Sequence, residues 1–121
     1  DEAINLDMVG DKQLVLPIER YSLEYHPQLV RHLWDRAKEM GLDAFIGRVD
    51  YAIYDDHIPL NEIAGIPSID LIDFKYPNSY ANFWHTLNDI PENCSEESLG
   101  QVGDLMVDYI YNREEQNRSE N

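Results

Sequence analysis

Asp55, Asp56 and His57 stand side by side directly after a short apolar run at residues 52–54. The run is typical of the end of a strand, and Pro59 restricts the backbone just beyond it. Two carboxylates and an imidazole in this position lie where open α/β sheets place their ligands. We therefore expect this end of the strand to carry chemistry.

A second histidine, His85, follows Trp84 in the chain. An imidazole behind a bulky aromatic side chain is well placed to ligate a metal in a partly dry pocket, with Asn88 or Asp89 orienting its other ring nitrogen. The alternative is a packing histidine that only hydrogen-bonds its neighbours. The sequence around His85 leaves both alternatives open.

Asp7 interrupts a strand of otherwise apolar character that we predict at Ala3–Val9. A carboxylate inside such a strand is costly to bury unless it is paired or bound to a cation, so Asp7 indicates a site. The alternative is that Asp7 points to solvent with Asn5 on the polar face of the strand. Spacing supports the two alternatives equally.

The elements that would position these residues alternate between strand and helix patterns. Further strands are predicted at Lys12–Glu19 and Ser68–Phe74, helices at Pro27–Met40 and Leu60–Ala64 and after Ser95, and a connector at Leu42–Tyr51. The last helix is expected to bury Leu99, Val102, Met106, Tyr109 and Ile110. This alternation predicts an α/β fold, a three-layer sandwich around a mostly parallel or mixed sheet. One domain covers residues 1–111, and the polar residues 112–121 are expected to form a disordered tail.

The composition is strongly acidic, with 24 Asp and Glu against 9 Lys and Arg and a net charge of −15. Nucleic acid is excluded as a partner because neutralising phosphates needs a basic face. No apolar run has the length of a membrane span. The single Cys94 excludes a disulfide within the chain.

Three sequence motifs occur in an order that is typical of one enzyme family. They are LDMVGD at Leu6–Asp11, DDHIPLNEIAGIP at Asp55–Pro67 and FWHTLNDIPENCSEESLGQVG at Phe83–Gly103. Together they resemble the C-terminal half of the zinc aminopeptidase and glutaminyl cyclase family, peptidase family M28. The resemblance covers nearly the whole chain apart from the tail. It implies a zinc exopeptidase-like fold of which only the C-terminal part is present, with the missing N-terminal part of the same protein as a partner.

The resemblance also implies a role for each motif residue. His85 would be a zinc ligand, and Trp84 would lie against the N-terminal residue of the substrate. Asp7 would bind a second zinc in an aminopeptidase, or belong to a hydrogen-bonded acid network in a cyclase. Either role makes Asp7 a site residue.

Asp55 distinguishes the two activities of the family. Aminopeptidases usually carry a serine before the Asp-His pair, whereas cyclases carry an aspartate that joins the acid network, so Asp55 resembles the cyclase side. Asp56 and His57 look structural. Asp70 departs from the animal cyclases, which carry a histidine there that stabilises the site.

Two enzymatic functions follow from the resemblance, both on the N-terminus of a peptide substrate. With one zinc, a cyclase would close an N-terminal glutamine into a ring and release ammonia; with two zincs, an aminopeptidase would cleave the first peptide bond. A non-catalytic binding module that kept the fold is the alternative from another class. The remaining zinc ligands are expected upstream of residue 1, so this chain alone is expected to be inactive. The resemblance favours a periplasmic or extracellular location.

Overall fold

The structure is a computed structural model that describes residues 1–119. It is a mixed α/β structure, as predicted, whose longer strands form parallel pairs and whose two shortest strands form an antiparallel pair. The strands are β1 (Ala3–Asp7), β2 (Leu16–Glu19), β3 (Phe45–Asp50), β4 (Ser68–Ile72), β5 (Pro77–Asn78) and β6 (Ala81–Asn82). The helices are α1 (Arg20–Tyr25), α2 (Pro27–Glu39), α3 (His57–Glu62) and α4 (Glu96–Ser119), with a short 3-10 helix at Pro91–Asn93. None of the helices in the described residues is both long and apolar enough to cross a membrane.

Strand β4 is the most buried strand of the structure. It pairs in parallel with β1, from Ala3 opposite Ser68 to Asp7 opposite Ile72, and β2 lies beside it. All five residues of β4 are buried, which confirms the prediction of a buried strand from Ser68 onward. Because parallel strands end at the same edge, Asp7 and the residues that follow β4 lie at one edge of this pair.

Helix α2 forms the core as its spacing predicts. Its buried face consists of Leu29, Val30, Leu33, Trp34 and Ala37. This face packs with Ile69 and Leu71 of β4 and with Leu105 of α4. The Trp34 indole N–H donates to the Leu16 carbonyl at 3.1 Å, so Trp34 is a core residue with its polar atom satisfied.

The region between α2 and α3 differs from the prediction. Residues 42–51, expected as a connector, contain β3, which pairs in parallel with β2. Residues 52–54, expected as a strand end, have no regular structure. The reason is that β3 is half exposed and carries Gly47 and Arg48, so it lacks the apolar run that identifies a buried strand.

Helix α4 is longer than predicted and rotated about its axis. It continues through residues 112–119, where the prediction has a disordered tail, and these residues are exposed; positions 120 and 121 lie outside the described residues. Val102 is buried as predicted, but Leu99 and Ile110 are 51% and 60% exposed, and Leu105 is fully buried instead. Residues 98, 102 and 105 lie on one face at helical spacing, whereas Leu99 is turned about 100° away from Ser98.

Candidate functional site

Three carboxyl groups from distant parts of the chain meet at the end of β1. Asp7 is the last residue of β1, Asp70 lies in the middle of β4, and Asp55 lies in the loop between β3 and α3. The carboxyl group of Asp55 interacts with those of both Asp7 and Asp70. The Oδ2 atoms of Asp55 and Asp70 are buried and receive no hydrogen bond from the described part of the chain. A contact between two of these carboxyl groups becomes a hydrogen bond when one of the two carries a proton. We call Asp7, Asp55 and Asp70 the acid cluster.

The environments of the acid cluster separate the proton affinities of its members. Burial, and then contact with Asp55, raises the pKa of Asp7 to about 6. Burial, and then the charge of Asp55, raises the pKa of Asp70 to about 8. Burial acts to raise the pKa of Asp55 too, but the backbone N–H of Asp56 and the neighbouring acids outweigh it and lower that pKa. Asp55 is therefore the member that stays ionised to the lowest pH, and Asp70 holds a proton at neutral pH.

Short hydrogen bonds fix each member of the cluster that lies away from β1. The Asp56 backbone N–H donates to Asp55 Oδ1 at 2.7 Å. The Asn5 side-chain amide donates to Asp70 Oδ1 at 3.0 Å, and the Asp70 backbone N–H donates to Ser22 Oγ at 2.8 Å. The alternative in which Asp7 and Asn5 face solvent together is wrong, because Asn5 bonds to Asp70 and Asp7 contacts Asp55.

Glu19 and His57 form a fully buried pair behind the acid cluster. Both side chains are 0% exposed, and His57 Nε2 lies 2.8 Å from Glu19 Oε1. Burial acts to raise the pKa of Glu19, but the hydrogen bond from His57 and those from the backbone outweigh it, so that pKa is lowered. Glu19 is not among the residues predicted from the sequence, although an acid that ends the apolar strand LPIE is the same signal that identified Asp7.

Trp84 and His85 lie on the surface in a loop after β6. Trp84 is 39% exposed, and its ring stacks on the His85 ring with centroids 3.8 Å apart. His85 is exposed, and its ring stacks on Trp84; in the described part of the chain, no hydrogen bond joins its ring to Asn88 or Asp89. Its φ of 58° is left-handed, as is the φ of 55° at Met8, which follows Asp7. Non-glycine residues in this region are uncommon and cluster at active sites. Of these two outliers, His85 is a predicted site residue and Met8 adjoins another, Asp7.

A cavity of about 260 Å³ connects two of the predicted residues. Its lining consists of Asp7, Met8, Gly10, Asp11, Tyr76, Trp84, Asp89 and Cys94. The structure thus brings Asp7 to Asp55 in the acid cluster and Asp7 to Trp84 around the cavity. His85 and Asp55 are not part of the cavity wall.

The donor types in this chain suit zinc, but only as part of a ligand set. Zinc sites use imidazole and carboxylate ligands, and a catalytic zinc takes three from the protein. His85 and Asp7 are of these types. Within residues 1–119, no three His, Cys, Asp or Glu side chains are grouped closely enough to hold a metal.

Comparison with known proteins identifies the family and a set of solved relatives. The model of Peptidase family M28 matches residues 1–110. Porphyromonas gingivalis glutaminyl cyclase is 34% identical, with a TM-score of 0.85 over 93% of this chain and 42% of its own. A leucine aminopeptidase precursor from Bacteroides thetaiotaomicron is 36% identical, with a TM-score of 0.83 over 92% of this chain and 37% of its own. A Zn-dependent exopeptidase from Parabacteroides distasonis is 35% identical, with a TM-score of 0.84 over 92% of this chain and 39% of its own.

The chain thus spans about 40% of the length of these solved relatives. Their mixed α/β fold matches its own over nearly all residues. A comparison with curated proteins gives no match.

Proposed function

The chain belongs to peptidase family M28, and from this premise we propose that it is the C-terminal part of a zinc-dependent enzyme that cyclises an N-terminal glutamine and releases ammonia. The observation that supports cyclisation is the acid cluster. Asp55 supplies an ionised carboxylate beside two carboxyl groups whose pKa values are raised. Glutaminyl cyclases are among the similar structures.

The reaction requires a proton to move between two nitrogen atoms of the substrate. The α-amine must lose a proton before its nitrogen attacks the side-chain amide carbon, and the departing amide nitrogen must gain one as its bond to carbon breaks. Asp7, which lines the cavity, exchanges protons with the substrate, and Asp55, in contact with Asp7, takes up the amine proton from it. With a pKa of about 6, Asp7 can return a proton to the departing nitrogen near neutral pH. Zinc, when bound, supplies polarisation of the amide carbonyl. Trp84 contacts the substrate at the cavity that it shares with Asp7.

The ligand roles in this proposal are divided between this chain and the rest of the protein. His85 contributes an imidazole ligand to zinc, and the other ligands come from outside the chain. The grouping of acids within residues 1–119 supports this division, since no set of three metal ligands is present there. Isolated residues 1–121 are then inactive. Family membership also supports a periplasmic or extracellular location.

A two-zinc aminopeptidase is the second candidate. It is favoured by the likeness to a leucine aminopeptidase precursor, whose 36% sequence identity to this chain is close to the 34% of the glutaminyl cyclase. In this case Asp7 binds the second zinc, and the substrate is any peptide with a free N-terminus.

A side-by-side assay of the intact protein separates the candidates. A glutaminyl peptide and a leucyl anilide are offered before and after chelation, and zinc is then added back. We expect ammonia and cyclised peptide to form, to cease with chelator and to return with zinc. Faster release of the aniline favours the aminopeptidase, and a folded, zinc-supplied protein that turns over neither substrate favours the non-catalytic binding module.

A further inference from the structure

Within the described residues, the Glu19 carboxylate accepts five hydrogen bonds, only one of which comes from its ion-pair partner His57. Its Oε1 accepts from Ser22 N at 2.9 Å, Ser22 Oγ at 2.8 Å and His57 Nε2 at 2.8 Å. Its Oε2 accepts from Tyr21 N at 2.8 Å and Ile53 N at 3.1 Å. A fully buried charge is tolerated only when its acceptor positions are filled in this way. The consequence is a rigid anchor to which three separate segments are tied.

Asp55 lies midway between two of the segments that Glu19 anchors. Ile53 is two residues before Asp55, His57 is two residues after it, and both are held by the same carboxylate. The loop itself is irregular, and Ala52, Tyr54 and Asp56 in it are exposed. Glu19 is therefore what fixes this loop on both sides of Asp55.

The other side of the His57 ring faces the acid cluster. Because Glu19 accepts the Nε2–H, the remaining ring nitrogen is Nδ1, which is buried without a partner. Asp70 Oδ2 is also buried without a partner, and it lies 3.9 Å from His57 Nδ1. A movement of about 1 Å would let a protonated Asp70 Oδ2 donate to Nδ1 and satisfy both atoms, and catalytic contacts commonly tighten in this way when substrate binds.

We propose that Glu19 and His57 are positioning residues for the acid cluster: Glu19 fixes the loop that carries Asp55, and His57 holds Asp70 through Nδ1. The expected effect of this positioning on kcat rests on the proposed function, whereas the positioning itself does not. Displacement of a catalytic group by about 1 Å costs on the order of 100-fold in rate, so a support of this kind acts on kcat.

Amide variants of the pair test the proposal in the intact protein. Glu19→Gln keeps the shape but replaces acceptors by an amide NH₂, and we expect kcat to fall about 10- to 100-fold with KM within about threefold. His57→Gln keeps a donor in the place of Nε2 and loses Nδ1, whereas His57→Asn does the reverse, and both are expected to lower kcat. The control is Leu33→Ala, which removes buried volume from the α2 core and should lower Tm while leaving kcat of the folded protein unchanged.

Hydrogen exchange at the Ile53–His57 amides provides a readout without substrate. We expect Glu19→Gln to lose protection there, and His57→Gln to keep most of it while still losing kcat. Wild-type kcat in His57→Gln, or unchanged protection in a folded Glu19→Gln, would overturn the proposal; if Glu19→Gln does not fold, His57→Gln decides. Should the wild-type protein turn over neither substrate, the proposed function fails, and exchange at these amides still decides the positioning role.

Discussion

Asp73 follows β4 directly and holds a buried carboxyl group against that of Asp11. The two residues are 1% and 2% exposed, and the Val15 backbone N–H donates to Asp73 Oδ2 at 3.3 Å. Burial, and then contact with Asp11, raises the pKa of Asp73 to about 9. The folded protein therefore binds a proton here that the unfolded chain releases above about pH 4.

Stability should fall as the pH rises through this window, because the folded state then binds more protons than the unfolded state. Each unit of pKa shift corresponds to about 1.4 kcal/mol of unfolding free energy, so even part of the Asp73 shift gives a measurable change in stability. Asp73→Asn, which mimics the protonated group and still accepts from Val15, should gain Tm over the wild type as the pH rises from 5 to 9, by several degrees. Thermal unfolding across this range checks it, with Asp104→Asn on the exposed side of α4 as the control. A Tm difference that does not change with pH would contradict the assignment.

The residue types in the sequence were enough to predict part of the site but not all of it. An acid in an apolar strand is physically anomalous, which is why Asp7 could be identified, and the motif around Asp55 supplied the second member. Asp70 could not be assigned to the acid cluster, nor His57 to its support, because their hydrogen-bond partners lie 65 and 38 positions away in the chain. The zinc and substrate roles of His85 and Trp84 stay predictions.

Helix α4 was correctly predicted as a helix, but the residues expected on its buried face differ from those that the structure buries. Apolar residues occur around much of its circumference, so periodicity alone allowed a stripe that contains Leu99, whereas packing against α2 and β4 selects Leu105. Strand β3 and helix α1 were not predicted from the sequence, because each has too weak an apolar pattern. Helix α1 has only six residues, too few for a period, and begins because Glu19 caps its first amides.

A matched pair of substitutions tests the face of α4. Leu105→Ala should cost about 2–5 kcal/mol of unfolding free energy, since it opens a cavity at a fully buried position. Leu99→Ala, the same substitution on the half-exposed face, should cost about 0.5 kcal/mol or less. Urea unfolding of both variants gives the comparison. A loss at Leu99 equal to or larger than that at Leu105 would contradict the buried face that the structure assigns.

At the scale of the molecule, the fold class followed from the alternation of strands and helices, but the zinc centre did not follow from the described residues. Zinc requires three protein ligands, and residues 1–119 gather no such set. The isolated 121-residue chain should therefore bind less than one tight zinc and turn over neither substrate. Mass spectrometry of the native chain after dialysis against zinc measures this. Stoichiometric tight zinc, with turnover in the absence of any partner chain, would contradict the proposal that this chain needs the rest of the protein.

The acid cluster is proposed to move the substrate proton, and kcat of two neighbouring variants measures its contribution. Asp55→Asn in the intact protein removes the ionised member of the cluster, whereas Asp56→Asn makes the same change at an exposed position beside it. With the substrate that the wild type turns over, we expect Asp55→Asn to lower kcat by about 10²- to 10⁴-fold and Asp56→Asn to stay within about threefold of the wild type. Equal kcat values for the two folded, zinc-loaded variants would contradict it.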